Sequence, residues 1–155
     1  MVPRSVLLRI LPMVGMIALL APYSALATVP NPCLSLPKTQ VAQALGGTVT
    51  GTMVIGNSEA RSCTWAGPLY HATDGPEHPV LHLAVFNDSK SEFQRFSKSS
   101  GYVQVSGVGA SAYYNPGGAG SLRVWQDGVT ITLNASVVNT SATLKSLAAS
   151  ALHRL

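Results

Sequence analysis

The spacing of apolar positions changes several times along the chain, and each change marks an expected element. Residues 36–46 (LPKTQVAQALG) place Val41, Ala42 and Leu45 on one face of a helix, with Pro37 suited to its first position and Gly46 to its end. From Thr48 to Ile55 the β-branched content rises, and Gly56-Asn57 reads as a turn into a second strand, Ala60 to Trp65. Val80 to Phe86 (VLHLAVF) is a nearly unbroken apolar run expected to be an interior strand, with His82 its only polar member. Asp88 or Ser89 is suited to cap a short helix, Ser89 to Ser99, whose Phe93 and Phe96 share a face while Lys90, Arg95 and Lys98 stay wet.

Strand character resumes at Tyr102 to Val105 and again at Ala112 to Tyr114. The clearest local signal is Asp127-Gly128, a two-residue turn that sets Val124 opposite Ile131 and Leu122 opposite Leu133. One face of that hairpin is apolar, and the other carries Arg123, Trp125, Thr130 and Thr132. A terminal helix from Ser141 to Leu155 lines up Leu144, Leu147, Ala148, Ala151, Leu152 and Leu155 in one stripe, which must cover an apolar sheet face. Strand runs separated by helices, without regular β-α-β alternation, predict an α+β fold: an antiparallel sheet of five to six strands with helices packed on one face.

The first 27 residues change the picture of where the chain acts. Arg4 and Arg9 precede an apolar run, Ile10 to Ala21, and Ala25-Leu26-Ala27 forms a small-residue cleavage pattern. That order is expected of a secretory signal peptide; an uncleaved anchor is the alternative, but a spanning helix needs about 20 apolar residues and Pro22 closes this run early. Thr28, not cysteine, follows the expected cut, so neither a lipid anchor nor another stable membrane anchor is expected after cleavage. Residues 28–155 then form a single exported domain, periplasmic or secreted. It retains eight Lys+Arg and six Asp+Glu, too few and too dispersed for a nucleic-acid surface.

Charged residues make up 10% of the chain, against roughly 25% in an average soluble domain, which leaves few groups for acid–base chemistry. Cys33 and Cys63 are the only cysteines. In an oxidising compartment the pair is most simply a disulfide; two free thiols acting as metal ligands are the competing reading, without any zinc-site spacing.

Several stretches together resemble a family of small bacterial exported domains, many of them lipoproteins, whose role is not established. They are Asn31-Pro32-Cys33 ahead of a helix ending Val41-Ala42-Gln43-Ala44-Leu45-Gly46, then Cys63-Thr64-Trp65, then residues 105–113 (VSGVGASAY), and the terminal amphipathic helix. The resemblance spans most of residues 28–155. Members typically carry Thr where Pro37 stands, Glu in place of Gln40 and Asp in place of Ala110, so each departure removes a polar or acidic group. What the resemblance implies is a Cys33–Cys63 bridge and an extracytoplasmic single domain, without implying an activity.

Candidate chemistry centres on residues 71–82 (HATDGPEHPVLH), which hold three of the four histidines. Pro76 and Pro79 exclude a regular helix, and in extended chain His78 and His82 stand roughly 13 Å apart, too far to share an ion. His71 and His78 could meet across a loop with Asp74 or Glu77, a donor set suited to zinc or copper(II). Against this stands the simpler expectation of a polar turn rich in histidine. Ser111 lacks the second glycine of a G-x-S-x-G elbow, and no pair of the scattered acids is favoured as a glycosidase couple.

Tyr113 and Tyr114, beside the loop Asn115 to Gly120, and Trp125, on the polar face of the last hairpin, form a candidate binding surface, since Tyr and Trp next to adaptable loops are common in recognition. The alternative for Trp125 is packing on a neighbouring strand, with Trp65 a core residue near the bridge. The expectation is therefore an exported non-enzymatic domain without a cofactor, binding a protein or cell-envelope component through loops and one sheet face. A periplasmic metal binder using the His71–His78 loop, and an inhibitor of an envelope-directed enzyme using residues 115–120, are the alternatives.

Overall fold

The computed structural model describes residues 29–57, 59–68, 70–72, 75–77, 79–98, 101–117, 120–136 and 141–155, with backbone alone for 70–72 and 75–77. The chain forms helix α1 (Lys38–Ala44), strands β1 (Gly51–Gly56), β2 (Ala60–Ala66), β3 (Tyr70–Ala72), β4 (Gly75–Glu77) and β5 (Val80–Asn87), then α2 (Lys90–Ser97). Strands β6 (Val103–Val105), β7 (Ser111–Asn115), β8 (Ser121–Gln126) and β9 (Val129–Ala135) follow, and α3 (Ser141–Leu152) ends it. Seven strands make one antiparallel sheet in the order β1-β2-β5-β9-β8-β7-β6, while β3 and β4 pair separately. The class is α+β, as expected. The sheet has seven strands instead of five to six, since every segment with strand character outside the β3–β4 hairpin joins it, down to the three-residue Val103–Val105, which pairs with β7.

Local chemistry explains the element ends. Pro37 is the N-cap of α1 rather than its first residue, and at the other end Gly46 takes φ +72°. The Gly46 N–H donates to Gln43 and the Gly47 N–H to Ala42, the paired closing bonds of a Schellman motif. In α2 the Ser89 hydroxyl accepts from the Glu92 N–H while the Glu92 carboxylate accepts from the Ser89 N–H, a reciprocal capping box. Those bonds to Ser89, side chain first, hold the Glu92 carboxyl below its ordinary range. Asp127 and Gly128 both have positive φ, 50° and 87°, as a type I′ turn requires, and the hairpin pairs Val124 with Ile131 and Leu122 with Leu133, as read from the sequence.

Alternation along the strands divides the sheet into two unlike faces. One face carries Cys63, Trp65, Leu81, Leu83, Val85, Leu122, Val124, Ile131 and Leu133, all buried. Against it pack Val41 of α1, its C-cap Leu45, and Leu144, Leu147, Ala148 and Ala151 of α3, forming the core. Cys33 and Cys63 are joined, with Cα atoms 5.2 Å apart, which ties the turn Pro32–Leu34 to β2 in the sheet. Helix α2 departs from the one-faced arrangement. The chain leaves β5 near the middle of the sheet and must reach β6 at its edge, so α2 crosses the opposite face and lays Phe93, fully buried, against Tyr113 at 5.8 Å between ring centroids.

Candidate functional site

Helix α2 is too short to cover the face it crosses. Its eight residues span about 12 Å, whereas seven strands measure about 29 Å from edge to edge. It covers the β7–β8 side and leaves the β2–β5–β9 side open. Register then decides what is exposed there. Ala84 of β5 pairs with Ser62 of β2 and with Thr132 of β9, and Thr132 pairs with Arg123 of β8. The flanking rows are Thr64, His82, Asn134 and Ser121 on one side and Ala60, Phe86, Thr130 and Trp125 on the other.

Small side chains in the middle rows and large ones around them produce a concavity. An open cleft of about 630 Å³ is lined by Ala60, His82, Ala84, Phe86, Phe96, Tyr102, Arg123, Thr132 and Asn134, with Glu59, Asn87 and Asp88 at one end. A shallower hollow of about 270 Å³ shares Ala60, His82, Ala84 and Phe86 and continues it toward Ile55 of the edge strand β1. Phe96 is 53% exposed and Ile55 58%, so the cleft presents large apolar groups to water.

The polar groups of the cleft are held in place by their neighbours. The Arg123 guanidinium lies 5.7 Å from the ring centroids of both Phe93 and Phe96, and its buried Nε has no hydrogen-bond partner. Arg95 brings a second guanidinium to within 5.0 Å of the Phe96 ring. The Tyr102 hydroxyl is 2.9 Å from that of Ser121. The Thr130 hydroxyl donates to Asp88 Oδ2 at 3.2 Å. Partial burial of His82 lowers its pKa from the ordinary 6.5, because the cleft floor solvates an imidazolium poorly.

The residues singled out from the sequence are dispersed. Tyr113 is buried beneath α2, whereas Tyr114, its neighbour along β7, packs against the core on the opposite face, because successive strand residues alternate sides. Trp125 lies on the α2 side, where its indole Nε1–H donates to the Asp88 carbonyl at 2.9 Å and Lys90 Nζ stands 5.7 Å above its ring. The three do not share one surface. In the histidine-rich stretch, the backbone pairs Tyr70 with Glu77 and His71 with Pro76 as a small hairpin. The side chains of His71 and Glu77, and Asp74 and His78 entirely, lie outside the described residues, as do Gly118 and Ala119 of the 115–120 loop. Among the described residues no group of three His, Cys, Asp or Glu side chains could hold a metal, and no helix is long and apolar enough to cross a membrane.

The cleft was accessible to sequence reasoning only in part. In VLHLAVF the alternation separates Leu81, Leu83 and Val85 from His82, Ala84 and Phe86, so a second, less aliphatic face was legible. That Ala60, Thr132, Arg123 and Phe96 would meet that face depends on pairings between residues as far as 54 apart in the chain, Leu81 with Ala135, which no local pattern carries. No protein-family profile, curated protein or solved structure matches the chain.

Proposed function

We propose that the protein is an exported, non-enzymatic binding domain that takes a cell-envelope component into the cleft on its second sheet face. The observation that carries this reading is the cleft itself: an interrupted sheet face with small residues on its floor and exposed Phe96 beside it. A sheet face with no function is normally covered or polar, and concave, mostly apolar sites with a few convergent polar groups are where ligands bind. Export is supported by the signal-like order of residues 1–27, by the Cys33–Cys63 bond, which persists in oxidising compartments, and by the resemblance to exported domains. The absence of an enzymatic role is part of the proposal: among the described residues His82 is the only histidine lining the cleft, and it has no carboxylate opposite it in the register, where Thr64 and Asn134 flank it.

Two measurements test it. Intact mass of protein recovered from the extracytoplasmic fraction should begin at Thr28 and be lighter by the two hydrogens of one disulfide; a mass that includes residues 1–27 would refute cleavage, and recovery from the cytoplasm alone would refute export. Titration of isotopically labelled protein with fractionated envelope extract should shift the amide resonances of His82, Ala84, Phe86, Thr132 and Asn134. Ala84→Trp, which fills the floor, should abolish those shifts, and Ala60→Trp at the margin serves if the first variant does not fold. Shifts confined to other surfaces would remove the cleft from consideration.

A further inference from the structure

The chemistry around the cleft narrows what it accepts, and this step rests on the reading of the cleft as a binding site. Its floor, Ala60 and Ala84, offers no hydrogen-bonding side chains, and Phe86 and Phe96 rise beside it. These apolar groups suit the apolar body of a ligand, because removing their area from water is favourable by about 25 cal/mol per Å², while Thr132, His82 and Asn134 supply the polar part of the lining. Charge is distributed unevenly. Arg123 projects from the row of Ala84 and Thr132, and Arg95 approaches the same Phe96 ring from α2.

The acids of the cleft lie at one end. Asp88 is engaged by Thr130, one row further along the sheet, and Glu59 belongs to the turn before β2. Burial disfavours the charged form of His82. Arg61 lines the adjoining hollow, where its Nε–H donates to the Asn57 carbonyl, and Arg95 approaches from α2; the cation in the same sheet row as Ala84 is Arg123. Its guanidinium is also pre-positioned: stacking on Phe93 and Phe96 restricts the side chain before any ligand arrives, which lowers the ordering cost of a charge-assisted hydrogen bond.

We infer that the cleft binds an amphiphilic anion, with the hydrocarbon body on Ala84, Phe86 and Phe96 and the carboxylate or phosphate group at Arg123. A fatty acid and an anionic lipid headgroup share this chemistry. Neutral amphiphiles fit the floor but leave Arg123 without a partner; cationic ones place like charge beside Arg123 and Arg95.

Three probes of equal chain length separate the contributions: decanoate, decyl glucoside and decyltrimethylammonium, each titrated below its micellar concentration and followed at the cleft amides. Decanoate should bind at least about tenfold more tightly than the glucoside, with the trimethylammonium weakest, and the preference should shrink as salt is raised. Arg123→Gln should remove the preference while leaving glucoside binding in place, which also shows that the variant is folded; Arg123→Lys should restore part of it. Decyl phosphate against decanoate then distinguishes a phosphate source from a carboxylate one. Equal affinity for the three probes, or an anion preference that survives Arg123→Gln, would overturn the inference while leaving the cleft as a site. Absence of shifts with all three would also overturn it, and the extract titration above would then decide separately whether the cleft binds anything.

Discussion

Phe93 is the side chain on which the second face depends. It is fully buried, its ring meets Tyr113 at 5.8 Å and 57°, and the Arg123 guanidinium lies 5.7 Å from its ring centroid. Of the two residues that α2 buries, the other is Ser97, whose hydroxyl has no partner, so Phe93 supplies nearly all of the favourable docking of that helix. Truncating a buried phenylalanine to alanine costs about 3–5 kcal/mol, including about 0.5–1.5 kcal/mol for the aromatic pair. An isolated eight-residue helix is unstable in water, so α2 has no independent reserve. Phe93→Ala should therefore lower the unfolding free energy by about 3 kcal/mol or more and the melting temperature by on the order of 10 °C. Where α2 detaches while the sheet persists, the global loss is capped at the docking energy, and the damage appears locally. Urea unfolding should accordingly be paired with hydrogen exchange. The amides of α2 should lose their protection while those of β5 and β9 keep most of theirs. A loss below about 1 kcal/mol with α2 still protected would refute the assignment of Phe93 as its anchor.

Replacing both Cys33 and Cys63 by alanine opens a loop spanning 30 residues and should cost about 3–4 kcal/mol by chain entropy, read from denaturant midpoints of the oxidised parent and the variant. Gly109 has φ +56° and an added Cβ would meet Val124 Cγ1 and, at 3.0 Å, the Trp125 carbonyl, whereas Gly107, at φ +84°, faces open space. Gly109→Ala should thus lose about 2 kcal/mol or more and Gly107→Ala about 1 kcal/mol, and equal losses would show that packing at Gly109 is not the cause. His82 has a folded-state pKa below its ordinary 6.5, so the unfolded chain binds the proton more readily. Its contribution is complete above that value and is lost as pH falls through 6.5 toward the folded-state pKa. His82→Gln should flatten this part of the stability profile between pH 7.5 and 5.5; an identical slope in parent and variant would show that His82 does not cause it.

Local order was legible in the chain because it depends on neighbours in sequence. Asp127-Gly128 dictates its turn and hence the Val124–Ile131 register, Ser89 begins α2, Gly46 ends α1, and the stripe from Leu144 to Ala151 announces a helix laid on an apolar sheet. The separation of Leu81, Leu83 and Val85 from His82, Ala84 and Phe86 is equally local, since side chains on a strand alternate. The apolar core follows from these patterns without further information. Tyr113, Tyr114 and Trp125 show where such reading stops: their types suggested a shared surface, but alternation and the path of α2 send them to different surroundings. Only the tertiary structure placed α2 on the second face, because the crossover from β5 to β6 is a property of strand order rather than of any segment. The same strand order brought Ala60, Ala84, Thr132 and Arg123 side by side beneath an eight-residue helix too short to cover them, and the cleft is the space left over.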